Sequence, residues 1–250
     1  MEERVQKILA RAGFGSRRQC ENLISQGRVK VNGKVISLGA KANPQKDKIL
    51  VDEQPISLEY QNIYIALYKP RGVVSAVSSP EGKKTVCDLV AIHPRIFPVG
   101  RLDIESEGLI LLTNDGDLAN LITHPRYGHE KEYRVLVARR PDEDQLNAWR
   151  RGIVLSDGYR TQPVDVHIET STPKGAWLRV ILREGRKRQI REMGALTGLP
   201  VIRIIRTRIG EVKLGNLKPG TWRYLTTSEI ENLRKKALKS ANQTRSRKNH

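Results

Sequence analysis

Cysteine is nearly missing: Cys20 and Cys87 are the two present in 250 residues, so a disulfide framework is not indicated and a reducing cytoplasm is the expected compartment. Aromatic residues make up 5% of the chain, which argues against a stacking platform for arbitrary single strands. No apolar run is long enough to cross a bilayer, and no basic amphipathic helix with Trp or Phe anchors offers a membrane partner. The opening Met1-Glu-Glu-Arg has the layout of neither a secretory signal nor a transit peptide. The glycine patterns of phosphate loops and dinucleotide folds do not occur. Among His93, His124, His129, His167 and His250, only His124 and His129 are near neighbours, with no Cys and no third ligand beside them. These gaps predict no metal, no cofactor and no membrane association.

What is abundant is positive charge. Lys and Arg number 45 against 27 Asp and Glu, a formal net charge of +18. Such an excess concentrates polyanions, and the large ones in a cytoplasm are nucleic acids. With so few aromatics, phosphate contact to a folded RNA or a DNA duplex fits better than base stacking.

Residues 1–60 read as a compact unit of two short helices and a hairpin. Val5, Ile8, Leu9 and Ala12 recur at helical spacing and Gly13-Phe14-Gly15 ends the first helix. Ser16-Arg17-Arg18-Gln19 has the form of a capping box for the second, whose inner side is Cys20, Leu23 and Ile24. Val29, Val31 and Val35 alternate around Asn32-Gly33, a strong hairpin turn. Arg17, Arg18, Arg28, Lys30 and Lys34 gather at one end; singly they would read as solvated surface charges. Residues 56–62 read as a linker.

A longer domain, 63–232, follows. Strands are expected at Ile63–Tyr68, Leu109–Thr113, Tyr133–Ala138, Ile153–Leu155, Val164–Ile168, Trp177–Leu182 and Val201–Thr207. Helices are expected at Gly116–Thr123, Asp142–Arg150, Arg186–Thr197 and Thr227–Leu238. Turns too short for crossover helices join several strands, so the fold class is α+β, with a mixed, mainly antiparallel sheet and flanking helices. Beyond Glu231 there is no acid, and 233–250 reads as a basic, disordered tail.

Two segments carry candidate chemistry. One is the glycine-bounded polar loop from Gly100 to Gly108, containing Arg101, Asp103, Glu105, Ser106 and Glu107; the other is the basic run Arg183-Glu-Gly-Arg186-Lys-Arg188-Gln-Ile-Arg191. Taken separately, Asp103 reads as a loop-capping carboxylate and the basic run as a solvated helix start. Their order with three further motifs changes that. Gly-Arg-Leu-Asp, Ser-x-Gly-Leu, Thr-Asn-Asp-Gly, Lys-Glu-Tyr-Arg-Val and Glu-Gly-Arg-x-Arg-Gln-Ile-Arg closely resemble the ribosomal-RNA pseudouridine synthases of the RsuA-like branch. The N-terminal Arg-x-Gly-x-Gly-Ser-Arg-Arg and Gly-x-Val-x-Val-Asn-Gly-Lys resemble the S-four-like RNA-binding domain of a small-subunit ribosomal protein. The resemblance covers the chain from the first helix to about Thr227.

The resemblance implies that Asp103 is the catalytic aspartate, Tyr133 the tyrosine packed on the target base, and Arg191 the basic partner of the aspartate. It also implies that Arg101, Arg186 and Arg188, with Arg17, Arg18, Lys30 and Lys34 of the N-terminal domain, contact RNA. Glu192 departs from the family pattern, which often has a basic residue there. The expected partner is ribosomal RNA, 23S in preference to 16S, and the expected state is a monomer. Isomerising a uridine requires the N1–C1′ bond to break and a C5–C1′ bond to form, with no redox agent. A carboxylate can serve as nucleophile at C1′ or remove a sugar proton. Two rivals stand beside this reading: a noncatalytic rRNA-binding assembly factor, and a glycosidase pairing Asp103 with Glu105 or Glu107.

Overall fold

The computed structural model describes residues 1–58, 61–92, 94–172 and 175–246; His93, Arg247, Lys248 and His250 lie outside them. Two compact units form, Met1–Asn62 with Ile92–Arg95, and Ile63–Ala91 with Ile96–His250.

The smaller unit runs β1 (Glu3–Arg4), α1 (Val5–Arg11), α2 (Arg17–Ser25), β2 (Val29–Val31), β3 (Lys34–Val35), β4 (Lys41–Ala42), β5 (Ile49–Val51) and β6 (Gln54–Pro55). Ser16 starts α2 as its sequence dictates: its hydroxyl accepts from the Gln19 amide at 3.2 Å while the Gln19 side chain accepts from the Ser16 amide at 2.7 Å. Asn32 and Gly33 sit at φ 50 and 81, the paired positive values that close a two-residue hairpin with the strand twist. β2 lies between β3 and β5 in a four-stranded sheet. Val5, Ile8, Leu9, Cys20, Ile24, Val29, Ile49 and Val51 fill the core; burial pushes the Cys20 thiol pKa up. Ile56 and Leu58 pack against this core, so the expected linker begins as part of the unit; Glu59 and Tyr60 lie outside the described residues.

The larger unit runs β7 (Tyr64–Lys69), β8 (Phe97–Val99), β9 (Glu107–Thr113), α3 (Gly116–Thr123), a 3₁₀ turn (Pro125–Tyr127), β10 (Lys131–Val137), α4 (Glu143–Arg151), β11 (Asp165–Thr172), β12 (Gly175–Leu182), α5 (Gln189–Leu196), β13 (Val201–Ile209), β14 (Val212–Lys213), β15 (Trp222–Tyr224) and α6 (Thr227–Ser246). Its nine-stranded sheet has the main order β11-β12-β10-β13-β9-β7-β15. The β9–β13 pair is parallel and the other described pairs are antiparallel, the mainly antiparallel sheet expected of an α+β fold. β9 is buried along its whole length and forms the spine of the core with Ala66, Tyr68, Val99, Leu118, Ile122 and Ile209.

Three expectations need correction. Ile153–Leu155 is not a strand; a single bridge joins Val154 to Arg160, because the Ser156-Asp157-Gly158 turn leaves too few residues to extend the ladder. The helix expected from Arg186 begins at Gln189, after Arg188 at φ 56. The tail expected from residue 233 is helical to Ser246: Leu233 is 1% exposed in the core and Arg234 pairs with Asp115 at 2.6 Å, so the helix is anchored beyond the expected boundary. Among the described residues no helix is long and apolar enough to cross a membrane.

Candidate active site

The polar loop expected to carry the chemistry connects β8 to β9, and buried groups fix it from below. Lys69, at the end of β7, is wholly buried. Its ammonium donates to the carbonyls of Pro70 (2.9 Å), Ile104 (3.3 Å) and Ser106 (2.7 Å). Burial drives its pKa down to about 8, against the pull of Glu107, Glu105 and Asp103. Ser75 bonds both backbone groups of Leu102, donating at 2.8 Å and accepting at 3.1 Å. The loop is therefore clamped on either side of Asp103.

Gly108 sets the loop's exit. It sits at φ +102, and a Cβ there would lie 2.3 Å from the Arg206 carbonyl oxygen and 2.6 Å from its amide nitrogen. Only glycine allows β9 and β13 to meet along their short parallel contact, where Glu107 faces Ile205 and Gly108 faces Arg206. The Thr-Asn-Asp-Gly motif is also structural. The Thr113 hydroxyl donates to the Ile63 carbonyl at 2.6 Å, and the Asn114 side chain accepts from the Ile63 amide at 2.8 Å. Asp115 caps α3 and accepts from the Tyr64 hydroxyl at 2.9 Å.

A cleft of about 320 Å³ opens over this loop, lined by Arg101, Asp103, Lys131, Tyr133, Arg188 and Arg206 among others. Its volume is at the low end of small-ligand pockets, about 300–1,000 Å³, which suits one unstacked nucleotide. Asp103 is half-buried. Among the described residues its carboxylate makes no hydrogen bond or ion pair, although Lys69 and Arg191 feel its charge. Tyr133, on β10, is 7% exposed and presents its side chain to the same cleft. Glu184 also lines it but is saturated, accepting from the Tyr159 hydroxyl (2.8 Å), the Gln162 amide (2.9 Å) and the Gln189 side chain (2.7 Å).

Arg191 lies on α5, outside the cleft lining. It donates to the carbonyls of Val201 at 3.3 Å and Glu105 at 3.4 Å, and no ion pair joins it to Asp103 among the described residues. Burial, with Arg188 nearby, lowers its pKa, while Asp103 and Glu105 attract it. It thus ties α5 to the loop that carries Asp103.

The expected RNA-contact residues divide by how free they are. Arg101 and Arg188 are exposed at the cleft. Arg186 is engaged within the fold, ion-paired with Asp157 and with its guanidinium 3.8 Å from the centre of the Tyr159 ring. Arg186 and Arg188 precede α5, so they do not share a helical face with Arg191. Without a Ser or Asp to cap it, the run is shaped by Gln189, whose side chain accepts from the Arg186 amide at 3.3 Å. In the smaller unit Arg17, Arg18 and Lys34 are exposed, and Lys30 pairs with Glu53 at 2.6 Å.

The glycosidase reading loses its second carboxylate. Glu105 is held by Arg71 at 2.9 Å, Glu107 by Arg203 at 2.6 and 3.0 Å, and neither lines the cleft. Three site residues went unassigned in the sequence: Lys69, Lys131 and Arg206. Arg206 left a signal, since it shares strand parity with buried Ile204 and is itself 3% exposed, an arginine where an apolar residue belongs. Lys131 shares parity with Tyr133.

Comparison with known proteins follows the same division. A family model described as RNA pseudouridylate synthase matches residues 63–196, and one for the S4 domain matches residues 3–49. The chain is 44% identical over 236 residues to an RNA pseudouridine synthase of Aquifex aeolicus (strain VF5), covering 93% of this chain and 94% of the relative. It is 41% identical over 236 residues to ribosomal large subunit pseudouridine synthase B of Bacillus subtilis (strain 168), covering 93% and 96%. A crystal structure of a pseudouridylate synthase aligns with a TM-score of 0.68 at 31% identity, over 92% of this chain and 99% of that one.

Proposed function

The chain belongs to the RNA pseudouridylate synthase family, and from that premise we propose that it isomerises one uridine of 23S ribosomal RNA to pseudouridine. The observation that carries the chemical part is Asp103, an unengaged carboxylate on a clamped loop in a nucleotide-sized cleft beside Tyr133. The name of the Bacillus subtilis relative favours the large subunit.

In this reading the target uridine leaves its stack, at a cost of about a few kcal/mol, and enters the cleft. Exposed Arg101 and Arg188 at the cleft, with Arg17, Arg18 and Lys34 of the smaller unit, offset that cost through phosphate contacts. Tyr133 packs on the base. The Asp103 carboxylate acts at the ribose, and both routes open to it, attack on C1′ or removal of a sugar proton, need the same placement. The carbonyl bonds that Arg191 and Lys69 make hold the loop in place around it.

The test is direct. Purified protein and its Asp103→Asn variant are incubated separately with unmodified 23S and 16S rRNA, and pseudouridine is mapped by carbodiimide-dependent reverse-transcription stops. One new stop in 23S rRNA, missing with the variant while RNA affinity persists, is the expected result. A stop in 16S rRNA alone would reassign the subunit. Turnover by the variant near the wild-type rate would remove Asp103 from the chemistry.

A further inference from the structure

We propose that Lys131 and Arg206 form a recognition subsite for the uracil ring itself, donating to its two exocyclic oxygens and holding its negative charge while it is detached from the ribose. The inference rests on the placement of Asp103 and Tyr133 given above and adds two residues to it.

Three observations carry the subsite. Tyr133 and Arg206 are direct partners across the β10–β13 ladder, so their side chains leave the sheet on the same face as neighbours. Lys131, two residues before Tyr133, leaves on that face too, and all three line the cleft with Asp103. Second, Arg206 is 3% exposed and has no carboxylate partner among the described residues. Its Nε donates to the Leu109 carbonyl at 2.7 Å and its Nη1 to that of Arg101 at 3.5 Å, while its Nη2 is buried and unpartnered. Third, Lys131 is half-buried, and among the described residues its ammonium makes one bond, a long one to the His129 carbonyl, 3.3 Å.

A buried guanidinium with a spare N–H beside a half-buried ammonium is costly unless something arriving in the cleft supplies acceptors and negative charge. The reaction supplies both. When the N1–C1′ bond breaks, its electron pair stays with the base, leaving uracilate with charge shared among N1, O2 and O4. When C5 bonds to C1′, that charge is consumed and H5 leaves as a proton, so no co-reactant is needed. Uracil offers a carbonyl oxygen at both exocyclic positions, whereas cytosine presents an amino group at one of them, so the same two donors select for uracil. Phosphate oxygens are met at the exposed Arg101, Lys187 and Arg188, not at a guanidinium buried on β13 beside Tyr133.

The test is a chemical double-mutant cycle. Oligonucleotides spanning the uridine that the wild-type protein modifies are made with uridine, 2-thiouridine or 4-thiouridine at that position, sulfur being the poorer acceptor. Single-turnover rates are measured for wild type, Lys131→Gln and Arg206→Lys, the last keeping a cation so that the loop carbonyls stay served. Removing a donor that acts in the transition state costs roughly 10²-fold. Each variant is expected to blunt the thio effect at one oxygen by about tenfold, Lys131→Gln at one and Arg206→Lys at the other, with RNA affinity unchanged. Effects that simply multiply at both oxygens, for either variant, would overturn the subsite. So would a loss of RNA affinity in Lys131→Gln with a salt slope shallower by about 1, which would make the ammonium a phosphate contact. Wild-type turnover of the plain oligonucleotide reports on the proposed substrate, and the cycle on the subsite, so the two can fail separately.

Discussion

Replacing Gly108 by alanine should injure stability and activity together. At φ +102 an L-residue carries a conformational penalty of about 1–2 kcal/mol. The new Cβ would also lie 2.3 Å from the Arg206 oxygen and 2.6 Å from its nitrogen. These are backbone atoms, so no side chain can swing away; β13 must part from β9 at their parallel contact. Overpacking of this kind adds about 1–3 kcal/mol, giving a loss of roughly 2–5 kcal/mol. Gly82→Ala is the matched control, because Gly82 also has a positive φ, +65, but nothing lies within 4 Å of its Cβ position; it should lose only the conformational part. At about 2–4 °C per kcal/mol for a unit of this size, calorimetry should find the larger unit's Tm lowered by about 10 °C in Gly108→Ala and by about 4 °C in Gly82→Ala. The displaced segment carries Arg206, which bonds the carbonyls of Leu109 and Arg101 on either side of Asp103. A shift of about 1 Å there should slow isomerisation by roughly 10²-fold even at temperatures where the variant is folded, as read by tritium release from RNA labelled at uridine C5. Equal Tm losses in the two variants, or full activity in Gly108→Ala, would refute the close-approach argument.

Lys69 makes stability depend on alkaline pH. Its folded pKa of about 8 lies below the usual lysine value of 10.5, so between those values the unfolded chain holds a proton that the folded one has released. Stability should therefore rise with pH above about 8, by as much as ~3 kcal/mol over the full interval at 1.36 kcal/mol per pKa unit. Lys131, also lowered to about 8, acts in the same sense. Urea titrations between pH 7.5 and 9.5 should show the rise. Lys69→Met should be less stable throughout, with a shallower slope, and an unchanged slope would count against the buried-cation reading. In the smaller unit, the triple change Arg17→Ala, Arg18→Ala and Lys34→Ala should weaken RNA binding and reduce the salt slope by about 2–3 without altering the single-turnover rate at saturation; an unchanged slope would mean that this face does not meet phosphate.

Local signals were legible wherever the physics is local. The Ser16–Gln19 capping box, the Asn32-Gly33 turn and the start of α3 appear where nearest-neighbour hydrogen bonds and backbone preferences place them. The loop that carries Asp103 was legible from its glycines and polar residues, and it connects β8 to β9. The clamp beneath it was not. Lys69 falls just past the strand expected at Ile63–Tyr68, and its three carbonyl partners lie up to 37 residues away. Arg186 misled in the opposite sense: as sequence it is one more cation in a basic run, whereas Asp157 and Tyr159 occupy it. The far end of α6, beyond the expected Leu238, was obscured by composition, because a basic, acid-free stretch reads as unstructured.

The hardest feature to foresee is the one that brings Arg206 into the cleft. Along β10 and β13 the register runs Lys131 to Ile209, Glu132 to Arg208, and then Tyr133 to Arg206, passing over Thr207. Without that bulge Tyr133 would face Thr207, and Arg206 would emerge on the other side of the sheet, among the charges that pair Glu132 with Arg179 and Arg208. One unpaired residue in β13 therefore brings a buried guanidinium beside the tyrosine. Strand alternation by itself would have assigned the two residues to opposite faces. A bulge leaves no mark in either strand's own pattern, since it is a property of their pairing. The residue that this bulge turns into the cleft, Arg206, is also the one that Gly108 meets on the opposite edge of β13, where a side chain on β9 would collide with its backbone.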